Sequence, residues 1–317
     1  MLTTVLPFSL WLLPAAERKP YAAQMAQTAL PHLSQWLAQA RCVSQHRLPE
    51  TALTSAHEWA LAQAQGASGL QDGLLPSAAL AAQTLGLTSA PDEGWAILSL
   101  CHWQVSNGQV ILGDPQQLLL DEATDAQLFA AMQPFFAEDG VNLFPWRTGH
   151  WLAKSKTFVN LPTASLERVL GRNINAWLIG GEHPNAQAQL VRRLQNEMQM
   201  WLYTHQVNAQ RAVSINSFWL HGTGSLSTNA TPQPVVLQEA LRESALQHDF
   251  LAWLEAWKQL DGSEFFAAQQ TPKRLILCGE DAIHLYESFT PSWWHKLRQR
   301  WSPNTLDQAL FISPQED

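Results

Sequence analysis

The chain has 317 residues, of which 46% are hydrophobic and 15% are charged, and its formal net charge at pH 7 is −8. This hydrophobic fraction excludes wholesale disorder, and the length fits about two domains or one large α/β domain. The acidic balance opposes binding to the phosphate backbone of nucleic acids, because nucleic-acid readers usually carry a basic field.

The cysteines and the apolar start both favour a cytoplasmic protein. Cys42, Cys101 and Cys278 are odd in number and form no CxxC pair, which opposes a disulfide framework or a zinc knuckle and predicts buried, reduced thiols. The start has no Lys or Arg before its apolar run, so a buried strand from Val5 to Leu13 is favoured over a signal peptide. No later apolar stretch reaches about 20 residues, so we expect no membrane span.

Helical spacing dominates the first third of the chain after this strand. Pro31 splits or kinks the first helical segment, and Thr54-Ser55 can cap the second, whose first turn contains Glu58. Pro76 opens the third helix and Gly86 ends it. The predicted helices run from Tyr21 to Arg41, from the Thr54-Ser55 cap to Gln65, and from Pro76 to Leu85.

Strand patterns replace helical spacing in the middle of the chain. Trp95 to Val105 is a continuous apolar run, and Asn107-Gly108 supplies the turn to its hairpin partner. The clearest helix is Ala186 to Thr204, because its apolar residues recur at helical spacing. The other predictions are strands at Gln109 to Leu112, Gln117 to Leu120, Val141 to Phe144, His150 to Ala153 and Ala212 to Leu220, with helices at Thr124 to Ala137 and Ser165 to Leu170.

The last part of the chain predicts a helix–hairpin–helix region behind a polar linker, Ser225 to Pro234. Its predicted elements are helices at Leu237 to Leu246 and Phe250 to Leu260, a hairpin of Arg274 to Cys278 with Ile283 to Tyr286, and a final helix at Pro291 to Trp301. Together the patterns predict an α/β fold with a mixed sheet flanked by helices. We predict a main domain over residues 1–224 and a C-terminal region over residues 235–317 that packs on the same core.

The sequence contains no complete catalytic, cofactor or metal motif. His57-Glu58 begins like the zinc-protease motif HExxH, but Leu61 occupies the position of its second histidine. The GxSxG, P-loop and GxGxxG patterns are also absent. Gly222-Thr223-Gly224 is either a tight exit from a strand or a weak signal for phosphate binding. We therefore predict no cofactor, no metal ligands and no catalytic residues.

A set of polar residues lies in and after the long helix, and two interpretations of it stay open. The side chains can converge on a small polar or anionic ligand, or they can cap the helix and brace the following strand. The set consists of Asn196, Gln199, His205, Asn208, Arg211 and Asn216.

Four secondary candidates lie near this set or in neighbouring motifs: His102, Arg172, Glu197 and Trp219. His102 lies in a predicted buried strand and is either a core histidine with an internal partner or a site residue. Arg172 follows a helix end, where it binds an anion or pairs with a carboxylate. Glu197 lies beside the apolar stripe of its helix and needs a partner, because burying an unpaired acid is costly.

Several long segments carry a resemblance to a known family. They are LCHWQV (100–105), FAEDG (136–140), LPTASLERVLGR (161–172), RLQNEMQMWLYTHQVNAQR (193–211) and INSFWLHGTG (215–224). Together and in this order they resemble the RpfE-type family of bacterial regulatory proteins, whose members are often labelled phosphoglycerate-mutase-like. The resemblance spans most of the chain. It implies a regulatory protein on a degenerate scaffold of the alkaline-phosphatase and phosphoglycerate-mutase type.

The segment NSFWLHGTG is also similar to an Asn-x-x-Trp-x-x-Gly-x-Gly stretch of archaeal cofactor-independent phosphoglycerate mutases. Those enzymes use two metal ions, held by Asp and His clusters, and a Ser or Thr nucleophile. The resemblance thus implies an acidic metal motif on the first strand. This chain has Leu12-Leu13-Pro14-Ala15-Ala16 there instead, and its nearest later Asp/His pair is His248-Asp249.

The departure from the enzyme pattern leads to two functional predictions. The first is a non-catalytic regulatory or binding protein that retains the scaffold without the metal ligands. The alternative is an active metal-dependent phosphoryl-transfer enzyme, of the phosphoglycerate mutase or phosphatase type, with rearranged ligands.

The final predicted helix combines aromatic and basic residues in an otherwise acidic chain. Trp293 lies beside Lys296 and Arg300, an arrangement that suits an acidic protein partner or a nucleic-acid backbone. The alternative is a packed terminal helix with solvated charges, in which the face of Trp294 packs onto the last hairpin.

Overall fold

The computed structural model of the chain describes residues 3–67, 69–224, 226, 233–266, 273–289 and 306–314. Its strands are β1 (Thr3–Leu6), β2 (Trp11–Leu12), β3 (Ala40–Arg47), β4 (Gly94–Cys101), β5 (Trp103–Ser106), β6 (Gln109–Leu112), β7 (Asn142–Arg147), β8 (His150–Ser155), β9 (Ser217–Gly224), β10 (Val235–Leu237), β11 (Arg274–Cys278), β12 (Ala282–Ser288) and β13 (Phe311–Ile312). Its α-helices are α1 (Arg18–Gln27), α2 (Pro31–Leu37), α3 (Ala56–Ala64), α4 (Ser77–Thr84), α5 (Glu122–Glu138), α6 (Leu166–Val169), α7 (Ala186–Thr204), α8 (Arg242–Leu246), α9 (Phe250–Asp261) and α10 (Leu306–Leu310).

Contacts divide the chain into two units whose segments alternate along the sequence. The first unit comprises Met1–Glu50, Ser55–Ser68 and Thr231–Asp317, and the second comprises Thr51–Thr54 and Gly69–Ala230. This division differs from the predicted main domain over residues 1–224 and C-terminal region over residues 235–317. The difference comes from strand pairing, because β1 pairs in parallel with both β10 and β11 and so joins the two ends of the chain.

The first unit is built around a five-stranded sheet with the order β10-β1-β11-β12-β3. Strands β10, β1 and β11 are parallel, whereas β12 is antiparallel to both β11 and β3. Helices α2 and α9 place large apolar side chains against this sheet at helical spacing. The core includes Leu33, Leu37, Trp253, Trp257 and Leu277. Each such side chain contributes about 1.5–3 kcal/mol by leaving water.

The second unit is built around a four-stranded antiparallel sheet with the order β7-β8-β4-β9. Side chains alternate between its two faces along each strand. One face packs with α5 and α7 in a core that includes Leu98, Phe136, Trp151, Met198 and Phe218. The other face packs with the alanines of α4 in a smaller cluster. This second face also carries polar side chains, among them Ser99 and His221.

The predicted fold class is confirmed, because a mixed sheet is flanked by helices. Helix α7 has the predicted bounds, and the side chain of Asn185 caps its start by accepting the N–H of Ala188. The predicted turn at Asn107-Gly108 is also confirmed, since both residues have positive φ angles, 50° and 75°.

Other predicted elements are wrong in type or extent. The strand from Val5 to Leu13 is divided into β1 and β2, because Phe8 has a φ of 57° and turns the chain between them. The segment from Gln117 to Leu120 is no strand, since Gln117 and Leu118 end the 3-10 turn Pro115–Leu118 and the next residue, Leu119, has a φ of 47°. Three further predicted elements also differ from the structure. The predicted helix from Tyr21 to Arg41 consists of α1, α2 and the start of β3. The predicted strand from Ala212 begins at Ser217, and the predicted helix from Leu237 to Leu246 consists of β10 followed by α8.

Two further predictions concern the thiols and the chain's last part. Cys101 and Cys278 are buried free thiols as predicted, but Cys42 is exposed because β3 lies at the edge of its sheet. The predicted helix Pro291 to Trp301, with Trp293, Lys296 and Arg300, lies outside the described residues, as does most of the predicted linker. Within the described residues, no helix has the length and apolar character needed to cross a membrane.

Candidate functional site

Asn208, a member of the predicted polar set, binds backbone groups with its whole side chain. Its Nδ2 donates to the carbonyl oxygens of Leu202 at 2.9 Å and Ile215 at 2.8 Å, and its Oδ1 accepts the N–H of Ile215 at 2.8 Å. The Leu202 carbonyl belongs to the last turn of α7 and also accepts the N–H of His205, the residue that ends the helix, at 3.2 Å. Asn208 thus ties the end of α7 to the segment that enters β9.

Asn216 and His205 have similar bracing roles. The Asn216 Oδ1 accepts the N–H of Trp103 at 2.7 Å, and its Nδ2 donates to the carbonyl of the same residue at 2.9 Å. The Nδ1 of His205 accepts the N–H of Val207 at 3.2 Å, and its ring lies 4.2 Å from that of Trp201. These bonds hold the start of β5 and the end of α7 in place.

The remaining members of the set are less constrained. Asn196 is exposed on α7, and the Nε2 of Gln199 donates to the Oγ of Ser217 at 3.4 Å. The Arg211 guanidinium donates to the carbonyl of Leu118. In the described part of the chain, no hydrogen bond joins two of the six side chains, so direct contacts do not gather them. The ligand-binding cleft therefore stays a prediction.

The secondary candidates each have an internal contact. His102 Nδ1 lies 2.8 Å from the carbonyl oxygen of Ser214, and the Trp219 indole N–H donates to the Ala164 carbonyl at 2.9 Å. Glu197 lies 3.7 Å from the Arg193 guanidinium, in an exposed pair one helical turn apart. Such a pair contributes about 0.3–0.5 kcal/mol. The backbone carbonyl of Arg172 accepts the N–H of Leu112 at 3.2 Å.

Gly222-Thr223-Gly224 forms the end of β9, so it is a strand segment rather than an open phosphate-binding turn. A Cβ atom at Gly222, which has a φ of 65°, would lie 2.4 Å from the Oγ of Ser77. The Thr223 hydroxyl is fully buried and donates to the Leu161 carbonyl at 2.6 Å. The close approach of α4 explains the glycine at position 222, and the close approach of residues 161–165 explains the buried threonine at position 223.

Sequence patterns missed a buried polar chain that crosses three strands of the second unit. The Oγ of Ser99, on β4, lies 2.7 Å from the Nδ1 of His150 on β8 and 3.0 Å from the Nε2 of His221 on β9. Ser99 has no exposed surface, and His221 is 8% exposed. Because Ser99 is inaccessible, its hydroxyl cannot serve as a nucleophile toward a bound substrate in this structure.

Burial determines the protonation of the two histidines. Desolvation, together with the nearby charge of His150, lowers the pKa of His221 from 6.5 to about 3. Desolvation is also the main cause that lowers the pKa of His150, with Arg147 adding to it and Asp125 and Asp114 opposing it. Both rings are therefore neutral at physiological pH. The Nδ1 of His221 is buried and has no hydrogen-bond partner among the described residues.

The carboxyl end of β1 is where the family resemblance implies an acidic metal motif, and ligands of α/β sheets bind at such ends. The hydroxyl of Ser9, a fully buried residue, donates to the Leu6 carbonyl at 2.7 Å and accepts the N–H of Cys278 at 2.9 Å. The carbonyl of Phe8 accepts the Trp253 indole N–H at 2.8 Å. These neutral groups bond to one another, so the donors at this strand end do not fit a two-metal centre.

The pair His248-Asp249 lies at the start of α9. The carboxylate of Asp249 accepts the N–H of Ala252 at 3.0 Å and so caps the helix, while His248 has a φ of 53°. Both residues line an open cleft of about 620 Å³ with Tyr21 and Phe250. Within the described ranges, no group of three or more His, Cys, Asp or Glu residues could hold a metal ion.

The sequence matches no family model, and a comparison with curated proteins also gives no match. Among solved structures, the chain is similar to the cofactor-independent phosphoglycerate mutase from Thermoplasma acidophilum. The two share 10% identity at a TM-score of 0.36, over 92% of this chain and 91% of the other. Membership of the RpfE-type family stays a prediction.

Proposed function

We propose that this chain is a cytoplasmic, non-catalytic regulatory or binding protein of the RpfE type, on a degenerate scaffold that resembles phosphoglycerate mutases. The observation that carries this proposal is the chemistry at the carboxyl end of β1. There, Ser9 and Phe8 use their polar groups for bonds inside the protein.

A phosphoryl-transfer metalloenzyme needs anionic or imidazole ligands around a position that substrate can reach. At the end of β1, both hydrogen-bonding roles of the Ser9 hydroxyl are taken by the backbones of Leu6 and Cys278. A metal ion at this point would have to displace those bonds. The filled strand end supports binding or regulation over catalysis.

The proposed ligand is small and polar or anionic, and its proposed contacts lie along and after α7. Asn196 is exposed, and Gln199 and Arg211 are part-exposed, so these three offer surface that a ligand can reach. His205, Asn208 and Asn216 bind the backbone of the same region instead. We therefore propose that Asn196, Gln199 and Arg211 contact the ligand, while the other three residues brace the backbone around it.

A calorimetric titration of the full chain with Mn²⁺ and with Zn²⁺ tests the proposal, together with phosphatase and phosphoglycerate mutase assays on the same sample. We expect no binding at micromolar metal concentrations and no turnover above the protein-free sample, because residues 7–16, which follow β1, contain no acidic side chain. An active cofactor-independent phosphoglycerate mutase, assayed in parallel, establishes that turnover is detectable. Micromolar metal binding accompanied by turnover would favour the phosphoryl-transfer alternative and overturn the proposal.

The proposed protein partner presents an acidic surface to Trp293, Lys296 and Arg300, which lie outside the described residues. We expect the variant with Lys296→Gln, Arg298→Gln and Arg300→Gln to remain folded and to lose a partner that the unchanged chain captures. Circular dichroism and thermal unfolding of the variant measure folding, and quantitative capture measures binding. Unchanged capture by the folded variant would remove this segment as the interaction site.

A further inference from the structure

The side chains of His150, Ser99 and His221 form a hydrogen-bonded chain in which every buried hydrogen can have an acceptor while both rings are neutral. When one more proton is added, the chain contains one buried hydrogen more than it has acceptors. The Ser99 hydroxyl contains one hydrogen, and each neutral imidazole carries one proton on either of its two nitrogens. Ser99 Oγ faces the Nδ1 of His150 and the Nε2 of His221, and the other nitrogen of His221 is buried without a partner. The position of one hydrogen in this chain therefore fixes the others.

With both rings neutral, one arrangement leaves no buried hydrogen unpaired. The hydroxyl of Ser99 donates to the Nδ1 of His150, and the Nε2–H of His221 donates to the Oγ of Ser99. Only the lone pair on the His221 Nδ1 then lacks a partner. An unpaired buried acceptor is tolerated better than an unpaired buried N–H.

We propose that Ser99 relays the protonation of His150 to the tautomer of His221, which makes these three strands a pH-sensing element. When His150 gains a proton on Nδ1, that nitrogen becomes a donor to Ser99 Oγ. The hydroxyl hydrogen of Ser99 then turns toward the Nε2 of His221. The single proton of His221 moves from Nε2 to Nδ1 by exchange with solvent, so the chain gains one proton in total.

The surroundings place the sensing end at His150. That residue is part-exposed, and the charged groups that act on it are Arg147 on β7, Asp125 on α5 and Asp114 before the 3-10 turn. The Asp125 carboxylate is held in place by the N–H of Gly149 at 2.9 Å and by the indole N–H of Trp151 at 3.0 Å. Around His221, the packed helix α4 has no ionisable side chain, and His150 is the group whose charge acts on it. The proton therefore enters at His150 and its effect reaches His221 through Ser99.

Nitrogen-15 NMR of the full, labelled chain tests this relay, because it distinguishes a protonated ring nitrogen from a bare one. We would record both histidines from about pH 8 downward, for as long as circular dichroism shows the chain to be folded. We expect His221 to change from the Nε2–H to the Nδ1–H tautomer at the same pH at which His150 gains its proton. A His221 tautomer that stays constant through the titration of His150 would overturn the proposal.

The variant Ser99→Ala provides the second measurement. Without the hydroxyl, a proton added to the Nδ1 of His150 has no acceptor, so the pKa of His150 should fall by about one pH unit and His221 should stop responding. Ser217→Ala is the matched control, since Ser217 is also fully buried in the same sheet but its hydroxyl contacts Gln199. Ser99→Thr, which keeps the hydroxyl, should restore the coupling. If Ser99→Ala does not fold, the tautomer of His221 in the unchanged chain still decides. A folded Ser99→Ala in which the tautomer of His221 still changes as His150 gains its proton would refute the relay.

Discussion

Acidification from about pH 7.5 to about pH 5 should lower the free energy of unfolding of each unit by about 2 kcal/mol through one buried histidine. In the second unit this residue is His221, whose pKa falls from 6.5 to about 3 mainly because of burial. In the first unit it is His284, whose pKa falls from 6.5 to about 4 through burial and, to a smaller extent, the nearby Arg47. Both side chains are less than 9% exposed, so solvent screening removes little of the effect.

The sign follows from where each ring takes up its proton. Because the folded pKa lies below the unfolded value of 6.5, the folded chain keeps both rings neutral while the unfolded chain protonates them. The stability that they contribute is fully present above pH 6.5 and is lost as the pH falls toward about 3 for His221 and about 4 for His284. The lowered pKa of His150 acts in the same direction in the second unit.

Urea unfolding followed by tryptophan fluorescence at several pH values measures this loss. We expect His221→Gln and His284→Gln each to remove about 2 kcal/mol of the pH dependence, because neither variant has a ring to protonate at that position. His46→Gln is the matched control, since His46 is exposed on β3 and water surrounds it before and after unfolding. A pH dependence that survives in both buried-site variants would show that other groups cause the acid sensitivity.

The helices of the fold were the most predictable part, for a physical reason that α7 illustrates. Its apolar stripe repeats over 19 residues, and the Asn185 cap lies next to it in the sequence, so all the information is local. Strand β3 shows the opposite case. Its residues from Arg41 to His46 are all exposed and show no alternation of polar and apolar types, so its pairing with β12 alone makes it a strand.

The division into units could not be predicted from local patterns, because it depends on contacts between distant segments. Strand β1 pairs Thr3 with both Val235 and Arg274, more than 230 positions away along the chain. Hydrophobic spacing gives no partner for a buried strand. A polar stretch near residue 230 correctly marked one boundary, but nothing in the first 50 residues showed that they would join the segment after it.

The buried histidine chain was missed for the same reason. Ser99, His150 and His221 come from three strands, at separations of 51 and 122 positions from Ser99, and no motif has a fixed spacing of that kind. One signal was present in the sequence, since Ser99 interrupts an apolar run, His150 precedes one and His221 ends one. A buried polar residue needs a partner, so three such polar residues in neighbouring strands could have been paired.

The polar set after α7 shows how far residue types alone can lead. The sequence identified Asn208 and Asn216 as candidates for either ligand binding or bracing, and both side chains prove to bind backbone groups fully. An amide contains a donor and an acceptor, which suits a ligand and a strand backbone equally well. The residue types alone therefore leave both uses open, and ligand binding by this set stays a prediction.

Asn208→Ala should lower the free energy of unfolding by about 2 kcal/mol, because it leaves two backbone groups without partners. These are the carbonyl and the N–H of Ile215, a fully buried residue, whereas the Leu202 carbonyl still accepts the N–H of His205. Asn208→Asp should be destabilising too, since a carboxylate would face the two carbonyls with no hydrogen to donate.

Asn196→Ala is the matched control, because it changes the same residue type in the same predicted set. Asn196 is exposed on α7, where alanine is the better helix former, so we expect stability to stay equal or rise by about 0.5 kcal/mol. Urea unfolding of both variants measures the difference, and α-helical circular dichroism shows whether the end of α7 frays in Asn208→Ala. Equal midpoints for the unchanged chain and Asn208→Ala would refute the bracing role and return Asn208 to the candidates for ligand contact. A large loss at Asn208 with none at Asn196 would instead restrict the search for a ligand to Asn196, Gln199 and Arg211, whose surfaces are still open to solvent.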